Sequence, residues 1–86
     1  MINASTPWPG DIPEHIFEGL KGYALERQPV GHFLTAVLCN NLSEAIGHAD
    51  SESLKAIKPI VQFVYNELPG NCWGSPAKVN SWYEGA

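Results

Sequence analysis

From Asp11 to Tyr83 the apolar residues recur at intervals of three and four, and no run alternates apolar with polar residues. That spacing predicts helices throughout and leaves no candidate strand. In the first helix Ile12, Ile16, Phe17, Leu20, Tyr23 and Ala24 share a face, with Asp11 as N-cap, Pro13 in the first turn and Glu14 completing a capping box. Gly19 and Gly22 lie inside it and cost about 1 kcal/mol each relative to Ala, which is tolerable where a second helix crosses closely. The second helix is expected from Gly31 or His32 to about Ile46. Phe33, Leu34, Val37, Leu38, Leu42, Ala45 and Ile46 give it an apolar face too broad for one-sided packing, which predicts the centre of the domain. Gly47 is its expected C-cap.

Asp50 or Ser51 caps the third helix, whose stripe is Leu54, Ile57, Val61, Val64 and Leu68. Pro59 is expected to kink or restart it, and Pro69 with Gly70 stops it. Ser75 and Pro76 then start a short last helix through Val79, Trp82 and Tyr83. The expected architecture is an all-α compact bundle of about four short helices over 11–86, behind an irregular N-terminal arm over 1–10. Pro7, Pro9 and Gly10 break that arm, and Trp8 is placed to fold back onto the domain.

At 86 residues the chain has room for one domain and one modest core. Chains of this size bury only about two-thirds of their unfolded surface, so self-association is an expected remedy. Three Trp, three Tyr and three Phe exceed what so small a core needs, and part of that aromatic area is expected to meet a partner, most simply in a homo-oligomer. The net charge is −4, and the five basic residues are scattered. No cluster can neutralise a run of phosphates, so binding to duplex nucleic acid is not expected. A small anion needs less, since one helix N-terminus and one Arg can hold it. The first ten residues do not read as a signal peptide, and no apolar stretch approaches spanning length, so the expected location is cytoplasmic, without a membrane partner. Cys39 and Cys72 read as reduced, packed thiols.

Catalysis has no legible apparatus. Cys39 or Cys72 with His15, His32 or His48 are nucleophile–base pairs on paper, but none lies in a local motif. The same residues are too dispersed for zinc-ligand spacing, so neither a metal nor a cofactor is expected. Gly70 to Ser75 lacks the Lys-Ser/Thr ending of a phosphate-binding loop. The expected activity is therefore binding, not an enzymatic reaction.

Two clusters invite a functional reading. Asn40 and Asn41 interrupt an apolar helix, although Asn prefers to bond backbone groups outside helices. They mark either an internally bonded break or a pair of amides at a ligand or oligomer interface. The second cluster is Tyr65, Asn66 and Glu67, followed by Asn71, Trp73, Gly74 and Ser75. Trp73 offers a stacking face, Asn66 and Asn71 hydrogen bonds, and the helix start at Ser75 free N–H groups, with Arg27 or Lys78 to add charge. The alternative is that Trp73 plugs the core and Ser75 is only a cap.

The segment Gly31 to Leu42, with Ala49-Asp50, Tyr65-Asn66-Glu67 and Trp73-Gly74-Ser75, resembles small accessory proteins of tailed bacteriophages. Ile12-Pro13-Glu14 is similar too, so the resemblance runs from Asp11 onward. It implies a phage accessory protein made in a bacterial cytoplasm, with antagonism of host defence as its role. Joined to the residue reading, it suggests sequestration of a small nucleotide-type signalling ligand. A protein–protein inhibitor or adaptor docking on a host or phage enzyme is the alternative.

Overall fold

A computed structural model describes residues 1–85, so residue 86 of the expected domain lies outside the described residues. Six helices follow one another: α1 (Glu14–Glu26), α2 (His32–Leu38), α3 (Leu42–His48), α4 (Ser51–Lys55), α5 (Ile57–Glu67) and α6 (Pro76–Tyr83). There is no strand among the described residues. The four expected helices become six because two of them divide. Asn40 and Asn41 separate α2 from α3, and Ala56 separates α4 from α5. The second break precedes Pro59 by three residues, which places the ring in the first turn of α5 where it is tolerated.

Leu20, Tyr23, Leu38, Ile60, Val64 and Cys72 are almost wholly buried, so α1, α2, α5 and the loop before α6 meet at one centre. Two hydrogen bonds pin that centre across long sequence separations. The Tyr23 hydroxyl donates to the Cys72 carbonyl at 2.6 Å, and the Trp82 indole donates to the Tyr23 carbonyl at 2.7 Å. Burial holds the Tyr23 hydroxyl far above the ordinary tyrosine range, so it stays a donor. Gly19 has the close crossing its position implied: a Cβ there would stand 3.1 Å from Leu34 Cδ1 of α2. The N-terminal arm is better anchored than its composition suggests. Ile2 is buried and its N–H donates to the Glu67 carbonyl at 2.7 Å, while the half-exposed Trp8 donates to the Ile12 carbonyl at 2.8 Å.

Side-chain caps account for three of the six helix starts. Asp50 accepts from the Ser53 N–H at 2.7 Å, Asn41 from Glu44 N–H at 3.2 Å and Ser75 from Lys78 N–H at 3.2 Å. Asp11 does not cap α1, whose N-cap is Pro13 with no side-chain bond. Gly47 likewise lies inside α3, which runs one residue further before Ala49 ends it. Ser75→Ala should lower stability by about 1 kcal/mol, read as a lower urea midpoint with an unchanged slope. The hydrogen bonds from Ser53 hold the Asp50 carboxyl below the usual carboxylate range. A depressed carboxyl stabilises the fold above its unfolded value and loses that contribution as pH falls through its folded value. Asp50→Asn should therefore flatten the decline in stability between pH 6 and pH 3; urea titrations at the two pH values measure it.

Candidate functional site

The break between α2 and α3 creates the most distinctive surface feature. Asn40 takes the left-handed conformation at φ 61°, which Asn tolerates better than most residues. Its N–H reaches the Val37 carbonyl at 3.1 Å, and the next N–H, of Asn41, reaches Ala36 at 2.8 Å. This double bond pattern closes α2 as a Schellman-type C-cap, and the Asn41 side chain starts α3 at once. The chain changes direction there. Leu42 and Ile46, drawn by the sequence onto the core face of one long helix, are instead 67% and 43% exposed.

The redirected α3 leaves a slot of about 170 Å³ against α5. Leu42 and Ala45 contribute from α3, Ile57, Val61 and Val64 from α5, and Val37 from the end of α2. Trp73 closes it. The loop that carries Trp73 is fixed by the Gly74 N–H, which donates to the Leu38 carbonyl at 2.7 Å. Gly74 sits at φ +113°, a conformation closed to L side chains, so a glycine belongs at this turn. Tyr65 stands edge-on to Trp73 at 6.0 Å between centroids and is 72% exposed. The polar side-chain groups of the lining are the amides of Asn40 and Asn41 and the indole N–H of Trp73. The result is an apolar slot between two protruding residues, Leu42 and Tyr65.

The residues proposed from sequence as ligand contacts do not assemble into one polar site. Trp73 faces the slot, but Ser75 Oγ is engaged as the α6 cap. Lys78 Nζ lies 3.3 Å from the Gly70 carbonyl. The Arg27 guanidinium stacks on the Trp82 ring at 3.8 Å and donates to the Trp82 carbonyl at 2.7 Å, which makes it a clamp between the ends of α1 and α6. Asn66, on α5, and Asn71, in the loop, are exposed and line none of the openings described here.

Two further openings share a pair of histidines. His32 and His48 stack with centroids 5.2 Å apart. On one side lies a groove of about 540 Å³, which His15 also lines. On the other lies an opening of about 230 Å³ that includes Cys39 and Glu44. His48 Nε2 is 3.3 Å from Glu44 Oε2, so a thiol, an imidazole and a carboxylate border one opening. Burial pushes the Cys39 thiol above its usual range, opposite to what an attacking thiolate requires. The Cys72 thiol, buried in the core, is pushed up to about 11.

The chain matches no protein-family model, no curated protein and no solved structure. No helix of the described residues is long and apolar enough to cross a membrane. The sequence reading named Trp73, Tyr65, Asn40 and Asn41 but missed Leu42 and Val61 as surface. The signal that could have found them was the doubled Asn itself. A helix stop at Asn40 removes Leu42 and Ile46 from the core face and leaves them without cover.

Proposed function

We propose that this chain is a non-enzymatic binding protein that docks an apolar segment of another protein in the slot between α3 and α5. The observation that carries this reading is the slot's composition and size. A cavity of about 150 Å³ holds a single benzene ring, whereas sites for small organic ligands run to roughly 300–1,000 Å³. A slot of about 170 Å³ therefore takes one aromatic or leucine-sized anchor, not a base with its sugar and phosphate. Its flanks, Leu42 and Tyr65, offer further apolar contact, and the Asn40 and Asn41 amides can bond a backbone group at its end. Aromatic anchors in small desolvated pockets are how protein interfaces concentrate their binding energy. The resemblance to phage accessory proteins supports the setting, a bacterial cytoplasm, and the role of an inhibitor or adaptor acting on a host or phage enzyme.

The test is selection of binders from a random displayed peptide library. Binders should carry an aromatic or aliphatic anchor with a second apolar residue three or four positions away, and excess mononucleotide should not displace them. Binders lacking an apolar anchor, or displaced by nucleotides, contradict the reading and favour sequestration of a nucleotide-type ligand. A second copy of the chain is the competing occupant, because each copy presents both the slot and the protruding Leu42 and Tyr65. Sedimentation at micromolar concentration decides that point: a dimer that selected peptides dissociate assigns the slot to self-association.

A further inference from the structure

All three histidines of the chain border the 540 Å³ groove beside α1 and the start of α2, on residues that the docking slot does not use. Ile16, Pro29, Val30 and Phe33 supply an apolar wall, and no carboxylate or lysine lines the groove. The carboxylates stand behind the rings instead. Glu52 of α4 approaches His15 Nδ1 at 3.9 Å, with Asp50 also within electrostatic reach of His15, and Glu44 approaches His48 Nε2 at 3.3 Å. His32 faces His48 in the stack and shares the adjoining opening with Cys39. Among the described residues, His15 Nε2, His48 Nδ1 and both nitrogens of His32 make no hydrogen bond or ion pair. The three rings do not form a group able to hold a metal ion. They are spread around a space of molecular size.

We propose that this groove is a second binding site, for a small organic oxyanion, phosphate or carboxylate, whose apolar body lies on Val30 and Phe33 and whose charge is met by protonated imidazoles. Histidine is the side chain whose charge changes between pH 5 and 8. Two stacked imidazolium rings repel each other, and an oxyanion bound at their edge relieves that repulsion. Binding is therefore coupled to proton uptake and strengthens as pH falls. Glu44, Glu52 and Asp50 compete with the ligand for the same rings, so the coupling is read most clearly at His32, which has no carboxylate partner. The proposal stands apart from the docking reading, since it uses another face.

The experiment is a histidine C2–H nuclear magnetic resonance titration with phenyl phosphate and benzoate, using phenol as the uncharged control. Benzoate is ionised throughout the range, so its pH dependence reports on the protein. At pH 5.5 both anions should shift the histidine signals, and benzoate affinity should fall at least tenfold by pH 8.0. His32→Gln should weaken benzoate binding at least fivefold with the melting temperature unchanged; should it disturb folding, the wild-type pH series decides alone. A preference for phosphate over benzoate would define the ligand as a phosphate ester, and the reverse as a carboxylic acid. Phenol binding as tightly as benzoate, pH-independent affinity, or unmoved histidine signals would each overturn the proposal.

Discussion

Trp82→Ala is expected to leave a large fraction of the chain unfolded in dilute buffer at room temperature. The indole is buried at the end of α6, donates to the Tyr23 carbonyl at 2.7 Å, and carries the Arg27 guanidinium on its face at 3.8 Å. Truncating a buried Trp to Ala costs about 3–5 kcal/mol in transfer and cavity terms. Loss of the indole hydrogen bond to the Tyr23 carbonyl, which keeps only its bond from the Arg27 N–H at 3.1 Å, and loss of the Arg27 stack add to that, though not in a simple sum. A chain of 86 residues has a total stability of roughly 4–13 kcal/mol, so this one change removes much or all of it. Far-ultraviolet circular dichroism under urea titration measures the effect. Trp82→Phe is the milder variant, since it keeps a ring for Arg27 and removes the donor, worth about 0.5–1.5 kcal/mol, together with part of the buried volume. A Trp82→Ala protein that melts within a few degrees of the wild type would show that α6 is peripheral to the core.

Val61→Glu should weaken docking by about thirtyfold or more while sparing the fold. Val61 lines the slot and is 41% exposed in the free protein, so a carboxylate there stays hydrated and changes stability by about 0.5 kcal/mol or less. Once a partner covers the slot, the same carboxylate is desolvated with no cationic group among the lining residues to offset it. A central interface residue of this kind costs at least about 2 kcal/mol, or roughly thirtyfold in affinity. Calorimetry with a selected peptide reads this directly. His32→Gln serves as the control that should leave peptide affinity unchanged, because it lies outside the slot. Equal affinity for Val61→Glu and the wild type would move the docking surface elsewhere.

Much of the helical skeleton was legible because local signals and core packing agree in it. Ile16, Phe17, Leu20 and Tyr23 keep helical spacing and are buried, and the caps at Asp50 and Ser75 are made by the side chains whose chemistry announces them. The apolar period misled where a local backbone preference overruled it, and of the two readings open at Asn40 and Asn41 the structure has the internally bonded break. Leu42, Ala45 and Ile46 continue the spacing of Phe33 to Leu38, yet the left-handed Asn40 breaks the helix between them. Of those three only Ala45 is buried. Leu54 and Val61 also fit the apolar stripe and are also exposed, since the break at Ala56 and the slot beside α3 leave them uncovered. The site was legible in part, through Trp73, Asn40 and Asn41. Arg27 was drawn toward a ligand because a lone Arg in an acidic chain invites that reading. Its stack on Trp82 depends on a contact 55 residues away, which no local pattern encodes. The convergence of His15, His32 and His48 was invisible for the same reason.

Methyl and indole nuclear magnetic resonance at pH 7.5 shows whether the slot receives apolar protein side chains. A selected peptide and a panel of linear and cyclic nucleotides are titrated separately into the same labelled protein. The peptide should shift the Leu42, Val61 and Val64 methyls and the Trp73 indole, and no nucleotide should move them. Nucleotides shifting those signals, with peptides leaving them in place, would contradict apolar docking in the slot.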